Sequence, residues 1–293
     1  MVRSTTFSIC RIKWHQTSPA RSNQSEIDRA ARKPLASLSA YDLYLRALAQ
    51  FHRFTEDGFA EAVSLTKQAL AINPAYAPAA AFVGWSRTMQ RIQGWGALSN
   101  DDIAEAVGLA RLALDVERDD PDTIWQAGYT LFLLAGEVAM AEAVIDRSIT
   151  LNPNAATAWM AKANMLALLN RPDQAIEAID RAQRLSPLDP MGYLYDLSRA
   201  LVYLAERRFQ DAMQWADRAL HGQPRFITAM RAKTVACAHL GRLDEARAEL
   251  ARVLAMDPRL TISRYRGLLA AATAPDMLEL LVQGMRLAGL PED

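Results

Sequence analysis

Apolar residues recur every three or four positions along most of the chain, which is the spacing of one face of an amphipathic helix. Six segments show this pattern in register with one another, and each begins with an alanine. The segments lie at 62–74, 106–118, 141–153, 175–187, 212–224 and 246–258. The pattern therefore predicts six equivalent helices and favours an all-α fold.

The six segments end at regular intervals. Successive closing positions are 44, 35, 34, 37 and 34 residues apart, and all but the second, which has Arg118, close with a proline. Proline lacks an N–H group and clashes with the preceding turn, so it ends a helix. Another helical pattern precedes each segment. The chain is therefore expected to fold as a series of helical hairpins.

Small residues hold fixed places in these segments. The eighth position is alanine or serine in five of them and Val253 in the sixth. Small side chains allow antiparallel helices to approach closely, and stacked hairpins bury the apolar stripe that one hairpin leaves open. This pattern, with a period of about 34 residues, resembles the tetratricopeptide repeat. The resemblance implies an all-α, right-handed superhelix of about six helix-turn-helix repeats with a concave inner face.

The pattern divides the chain into three parts. Residues 1–40 are expected to form a basic, partly disordered leader or linker, residues 41–260 the array, and residues 261–293 a C-terminal capping segment. The six units are expected at 41–76, 77–120, 121–155, 156–189, 190–226 and 227–260.

The last part of the chain has one clear helical face. Leucine, valine and methionine side chains recur at helical spacing between 278 and 285, which predicts a capping helix at 276–288. Thr273 or Asp276 is expected to cap its start, and Gly289 and Pro291 are expected to end it. This helix either seals the last repeat, which we favour, or binds a partner.

The second repeat carries an insertion that spans 89–102. Trp95 lies between two glycines there, and it either folds back as a plug, which we favour, or is exposed as a contact. Ser99 and Asp102, three residues apart, predict a capping box that opens the next helix.

Four segments carry a more specific resemblance. They read SLSAYDLYLRALAQFHRFT (37–55), QGWG (93–96), SPLDP (186–190) and RLAGLPED (286–293). Over residues 26–293 the chain resembles the C-terminal repeat region of bacterial class III adenylate cyclase-like signalling proteins; similar regions follow winged-helix transcriptional regulators. The resemblance implies a regulatory or sensory tail. The preceding catalytic domain has no counterpart here, so no catalytic residue carries over, and we expect a stand-alone remnant or a misplaced start codon.

Charge argues against a nucleic-acid partner for the array. The chain has 33 basic and 33 acidic residues, and a neutral total gives no basic footprint. Residues 1–40 hold seven basic and two acidic residues, so a basic arm that binds nucleic acid or acidic lipid is the alternative to a solvated leader. No run approaches a membrane span or a secretory signal, and two cysteines suit a reducing compartment. We expect a cytoplasmic protein.

Catalytic and metal-binding patterns are missing from the sequence. The four histidines do not have a metal-ligand spacing, and no phosphate-binding or nucleophile motif is present. Acidic pairs lie at turns and helix starts, where capping explains them. We therefore expect neither an enzyme nor a cofactor or metal site, and we expect Cys237 in the core.

The remaining candidate site is the concave wall of the array. Its positions are mostly apolar and aromatic, and such side chains are the usual anchors of protein recognition. The candidate groove residues are Trp85, Met89, Trp125, Tyr129, Phe132, Met160, Asn164, Leu194, Arg231 and His239. They predict a non-catalytic scaffold that binds a partner protein or peptide. The alternative is that several aromatics pack against neighbouring helices. Homo-oligomer formation stays open.

Overall fold

All regular structure in the described residues is helical. The computed structural model describes residues 36–96, 98–189 and 191–293, so the predictions for residues 1–35 lie outside the described residues. Fourteen α-helices and one π-helical turn follow one another along these ranges, which confirms the prediction of an all-α fold. Their bounds are α1 Ala36–Phe51, α2 Glu56–Ile72, α3 Ala77–Gln93, α4 Asn100–Val116, α5 Pro121–Thr130, the π turn Leu131–Ala135, α6 Val138–Leu151, α7 Ala156–Leu168, α8 Pro172–Leu185, α9 Tyr193–Ala205, α10 Phe209–Gly222, α11 Ile227–His239, α12 Leu243–Met256, α13 Ile262–Leu269 and α14 Pro275–Leu287.

The first twelve helices pack as six consecutive hairpins, from α1 with α2 to α11 with α12. Each hairpin also packs on the next, so one large apolar core runs from the first repeat to the last, and two smaller clusters lie within the first three repeats. The superhelix of about six tetratricopeptide-type repeats expected from the sequence is therefore the observed architecture. Within the described ranges, none of the helices combines the length and the apolar character that crossing a bilayer requires.

The small residues that define the repeat lie at helix contacts. Each of the six alanines that begin the repeating segments is fully buried. These are Ala62, Ala106, Ala141, Ala175, Ala212 and Ala246. Gly84 shows why small residues are needed, because an added Cβ would lie 3.0 Å from the Thr130 side chain and 3.2 Å from the Ala106 carbonyl oxygen. A larger side chain there would separate α3 from α4 and α5.

The insertion in the second repeat is folded back onto the array. The Trp95 side chain is buried, and its ring centroid lies 5.3 Å from that of Phe54 and 5.0 Å from that of Phe59. The predicted capping box is present: Asp102 N–H donates to Ser99 Oγ at 3.1 Å, and Ser99 N–H donates to Asp102 Oδ2 at 3.0 Å. Both expectations for this segment are confirmed.

The C-terminal residues form two helices, α13 and α14, here called the C-terminal pair. The helix predicted at 276–288 is α14, but neither Thr273 nor Asp276 caps it. Ala274 is its N-cap, and Pro275, whose fixed φ suits a first helical turn, follows. α14 packs on α11 so closely that a Cβ at Gly284 would lie 2.7 Å from Val235 Cγ1.

The array curves until its two ends meet. The Phe54 ring, in the turn between α1 and α2, lies 5.5 Å from the Tyr193 ring and 5.8 Å from the Phe226 ring. Ile227 N–H donates to Gln93 Oε1 at 3.1 Å. The first and second repeats therefore contact the fifth and sixth, and the concave face is enclosed where the sequence predicted an accessible wall.

Candidate functional site

The concave side of the array surrounds a cavity of about 80 Å³. Each first helix from α3 to α11 contributes side chains to its wall. Eight of the ten candidate groove residues line it: Trp85, Met89, Trp125, Tyr129, Met160, Asn164, Leu194 and Arg231. The repeat positions therefore identified eight residues that line this cavity, although these residues come from five different repeats.

Two candidate residues lie away from the cavity. Phe132 is fully buried in the core and is absent from the cavity wall, whereas Leu133 lines it. Both belong to the π turn, whose wider turn changes which side chains face inward. His239, the last residue of α11, stacks on Phe209 at a centroid distance of 4.7 Å, and its Nε2 lies 3.0 Å from the Leu280 carbonyl oxygen. His239 therefore contacts α14.

The aromatic residues of the wall are also part of the core. Trp85 packs against Trp125 and Phe51, with centroid distances of 5.1 and 4.2 Å. Trp125 Nε1 donates to Asp122 Oδ1 at 3.1 Å. Tyr129 and both tryptophans are at most 8% exposed. Packing against neighbouring helices, the alternative raised for these aromatics, is therefore observed together with their position on the wall.

Few polar groups face the cavity, and one of them is charged. Arg231 is 3% exposed, and its Nη1 donates to the Ile92 carbonyl oxygen at 2.7 Å. Its Nη2 lies 3.4 Å from Asp257 Oδ2, and its Nε has no partner among the residues described. Burial lowers the pKa of Arg231, but an arginine still remains protonated near neutral pH. The wall is thus apolar with one buried cation.

A second polar feature joins two repeats across the wall. The Tyr129 hydroxyl donates to Asn164 Oδ1 at 2.5 Å. Burial raises the pKa of Tyr129, so the hydroxyl stays protonated as a donor. The pair fixes α5 against α7 and leaves this side of the wall without a titratable group near neutral pH.

The C-terminal pair supplies the rest of the enclosure. Tyr265, Leu268 and Leu269 from α13 line the cavity, as does Leu281 from α14. Burial raises the pKa of Tyr265 to about 12. Sequence reasoning missed α13 because the residues after 258 lack the repeat period. Two features of the sequence could have indicated α13. Thr261 caps the helix by accepting from Arg264 N–H, and Tyr265, Leu268 and Leu269 follow at helical spacing.

The turn between α13 and α14 contacts the middle of the array. Ala274 N–H donates to the Leu168 carbonyl oxygen at 3.0 Å, at the end of α7. A Cβ at Gly136, after the π turn, would lie 2.8 Å from Ala271 Cβ. The C-terminal pair therefore crosses the concave side from the third and fourth repeats to the sixth.

The lining of the cavity suits apolar recognition. No group of histidine, cysteine, aspartate or glutamate residues in the described part of the chain could hold a metal ion. The free space of about 80 Å³ is smaller than the roughly 300–1,000 Å³ of typical small-molecule sites. What the wall offers is a row of apolar side chains against which a helix already packs.

Comparisons with known proteins agree with this architecture. Two family models described as tetratricopeptide repeat match residues 130–190 and 203–272. No curated protein matches the sequence. The resemblance to class III adenylate cyclase-like proteins stays a prediction, since both models describe the repeat alone.

Several solved structures are similar to this chain at low sequence identity. A tetratricopeptide repeat protein from Parabacteroides merdae is 14% identical, with 86% of this chain and 99% of that chain covered and a TM-score of 0.46. PilF of Pseudomonas aeruginosa is 17% identical, with coverages of 80% and 98% and a TM-score of 0.48. TTC0263 of Thermus thermophilus is 22% identical, with coverages of 58% and 91% and a TM-score of 0.48.

Proposed function

We propose that this chain of tetratricopeptide repeats is a non-catalytic interaction scaffold that binds an apolar segment of a partner protein on its concave wall. One observation carries the proposal: the wall already holds a short helix, because Tyr265, Leu268 and Leu269 of α13 line the cavity with the first helices. Helix-in-groove binding uses anchors at such i, i+3 and i+4 positions. A wall that accommodates one amphipathic helix has the shape and chemistry for another.

The composition of the wall supports this proposal. Tryptophan, tyrosine and methionine give large apolar contact areas, and methionine adapts its shape to different ligands. Met160 and Leu194 line the cavity but are only partly buried. These two side chains mark the part of the wall that an incoming segment would reach first.

A peptide selection tests the proposal. Random displayed peptides are selected on the wild-type chain and on a full-length chain that carries Tyr265→Ala, Leu268→Ala and Leu269→Ala. Binding clones are then retested on the same two chains with either Met160→Glu, on the wall, or Met140→Glu, which is 55% exposed on α6. We expect Met160→Glu to weaken binding at least about tenfold, because it buries a charge against apolar anchors, and Met140→Glu to have no effect. Clones that tolerate both changes would contradict the assignment.

We also propose, as the narrower alternative, that the scaffold is the regulatory tail of an adenylate cyclase-like or winged-helix signalling protein. The support is the resemblance carried by 37–55, 93–96, 186–190 and 286–293. Reading the genomic DNA before Met1 tests it: an in-frame output domain supports the alternative, and an unrelated gene or a terminator counts against it.

A further inference from the structure

The C-terminal pair does not continue the array. In a seventh hairpin, the helix after α12 would pack beside α11 as the next first helix. Instead, α14 takes that place, with Gly284 against Val235. The preceding helix, α13, lies across the concave side and reaches the second repeat, where Arg91 Nη2 donates to the Gly267 carbonyl oxygen at 3.4 Å. The array thus ends by folding its own chain into its concave side.

The concave wall contacts one face of α13. Tyr265, Leu268 and Leu269 are spaced i, i+3 and i+4, which places them on the same side of the helix. All three line the cavity, while Ser263 and Arg264 between the cap and these anchors are exposed. The recognised feature is therefore an aromatic residue followed three and four positions later by leucines.

Two arginines of the array match the polar features of this helix. The guanidinium of Arg231 lies 5.8 Å from the centroid of the Tyr265 ring, within cation–π range. Arg91 donates to the Gly267 carbonyl, which lies in the last turn of α13, where carbonyls lack helical partners and favour cations. Any helix in the same place would meet the same two cations.

α13 depends on its contacts with the rest of the chain for stability. It has eight residues, too few to be stable alone, and Gly267 in its last turn weakens it further. Ile262 N–H donates to the Pro291 carbonyl oxygen at 2.8 Å, and Ser263 N–H donates to the Glu292 carbonyl oxygen at 3.1 Å. An exposed ion pair with α14 adds little. The contacts between the six hairpins do not involve α13, so its release would leave them intact.

We infer that α13 is an internal occupant of the partner site, and that the partner is an amphipathic helix with an aromatic residue followed by leucines at the third and fourth positions. This inference rests on the proposed function and names the partner and the regulation of the same site. α13 keeps the site closed until a helix with the same anchors displaces it. Only molecules in which α13 has left the wall can bind that helix, so its apparent affinity is the intrinsic affinity multiplied by the fraction of such molecules.

Peptide binding in two full-length proteins tests the inference. The probe is a fluorescent peptide with the sequence of residues 260–271, and the proteins are the wild type and the chain with Tyr265→Ala, Leu268→Ala and Leu269→Ala. We expect the substituted chain to bind the peptide at least about tenfold more tightly, because its own α13 no longer competes. A peptide that carries the same three alanines is the control and is expected not to bind. Equal affinity of both proteins for the probe would overturn the inference.

A reversible crosslink gives a second test that leaves the anchors intact. In a full-length chain with Cys10→Ser, the changes Gly136→Cys and Ala271→Cys place two thiols next to each other, since a Cβ at Gly136 would lie 2.8 Å from Ala271 Cβ. A disulfide needs about 3.5–4.5 Å between these atoms, so the turn must shift, and a cysteine at 136 is strained because Gly136 has a φ of +70°. The reduced form of the same variant carries the same strain and is therefore the matched reference. We expect the oxidised protein to bind the probe at least about tenfold more weakly than the reduced protein. Equal binding in the two states would overturn the inference even if the alanine variant fails to fold.

The two proposals fail in different ways. The selection could yield peptides that depend on Met160 but lack the aromatic–leucine spacing. If these peptides also bind the oxidised and reduced proteins equally, the scaffold function stands and the proposed role of α13 is wrong. A selection without any clone sensitive to Met160→Glu would remove the scaffold function itself.

Discussion

At the scale of single residues, close approach of helices explains where the smallest side chains stand. A Cβ at Gly128 in α5 would lie 2.8 Å from Val144 Cγ1 in α6, whereas a Cβ at Gly108 in α4 would have no atom within 4 Å. Both glycines are helical, so both carry the same intrinsic cost to the helix. The two positions therefore separate the effect of packing from that of helix propensity.

We predict opposite effects for the same substitution at these positions. Gly108→Ala should raise the free energy of unfolding by about 0.5–1 kcal/mol, because alanine is the better helix former. Gly128→Ala should lower it, because overpacking costs about 1–3 kcal/mol. Urea unfolding followed by circular dichroism measures both. Stabilisation by Gly128→Ala would show that α5 and α6 are not in close contact.

The positions of individual residues were predictable where the same packing constraint recurs in every repeat. The repeated alanines were identified by their spacing and are buried as expected, because each must fit between two helices. Phe132 and His239 were assigned to the wall by position alone. A π turn redirects the first and the C-terminal pair covers the second. Neither the π turn nor the packing of the C-terminal pair produces a periodic pattern in the sequence.

At the scale of elements, helix ends were predictable where a side chain forms the cap. Ser99 and Asp102 form the expected capping box, and α4 begins after it. α13 was missed because eight residues are too few to show a period, and its position depends on contacts with the second and sixth repeats. Elements fixed by local chemistry could thus be predicted, while those fixed by tertiary contacts could not.

The capping box gives a prediction that depends on pH. Hydrogen bonds from Ser99 hold the pKa of Asp102 below its ordinary value. A carboxyl whose pKa is lowered by folding stabilises the protein above the unfolded pKa, about 3.9, and this contribution is lost as the pH falls through the lowered value. Ser99→Ala should therefore cost about 1 kcal/mol at pH 7 and clearly less in strong acid. A cost that is unchanged between pH 7 and about pH 2 would contradict the role of the ionised carboxylate; unfolding curves at the two pH values measure it.

At the scale of the whole molecule, contact between its ends distinguishes this array from an open solenoid. In an open array, each repeat contacts only its neighbours. Here Phe54 of the first repeat contacts Tyr193 and Phe226, and Gln93 accepts from Ile227 N–H. The C-terminal pair then fills the enclosed side. The repeat period could not predict this closure, because the total curvature is set by the small rotation between successive hairpins.

Loss of the contact between the ends should open the array. Phe54→Ala removes the ring that joins the first repeat to Tyr193 and Phe226 of the fifth, at a cost of about 3–5 kcal/mol. We expect a larger radius of gyration in small-angle X-ray scattering with helical content retained. Leu151→Ala, at an exposed position on α6, is the control and should leave the radius unchanged. An unchanged radius in the Phe54 variant would show that other contacts suffice for closure.

Hydrogen exchange in α13 tests most directly whether the chain occupies its own concave side. A free helix of this length is almost unprotected, so any protection of Ile262–Leu269 reports its contact with the wall. We predict slow exchange there in the wild-type protein, and fast exchange when Tyr265, Leu268 and Leu269 are changed to alanine, with α11 protected in both proteins. Exchange of α13 in the folded wild type at the rate of an unstructured peptide would contradict the account.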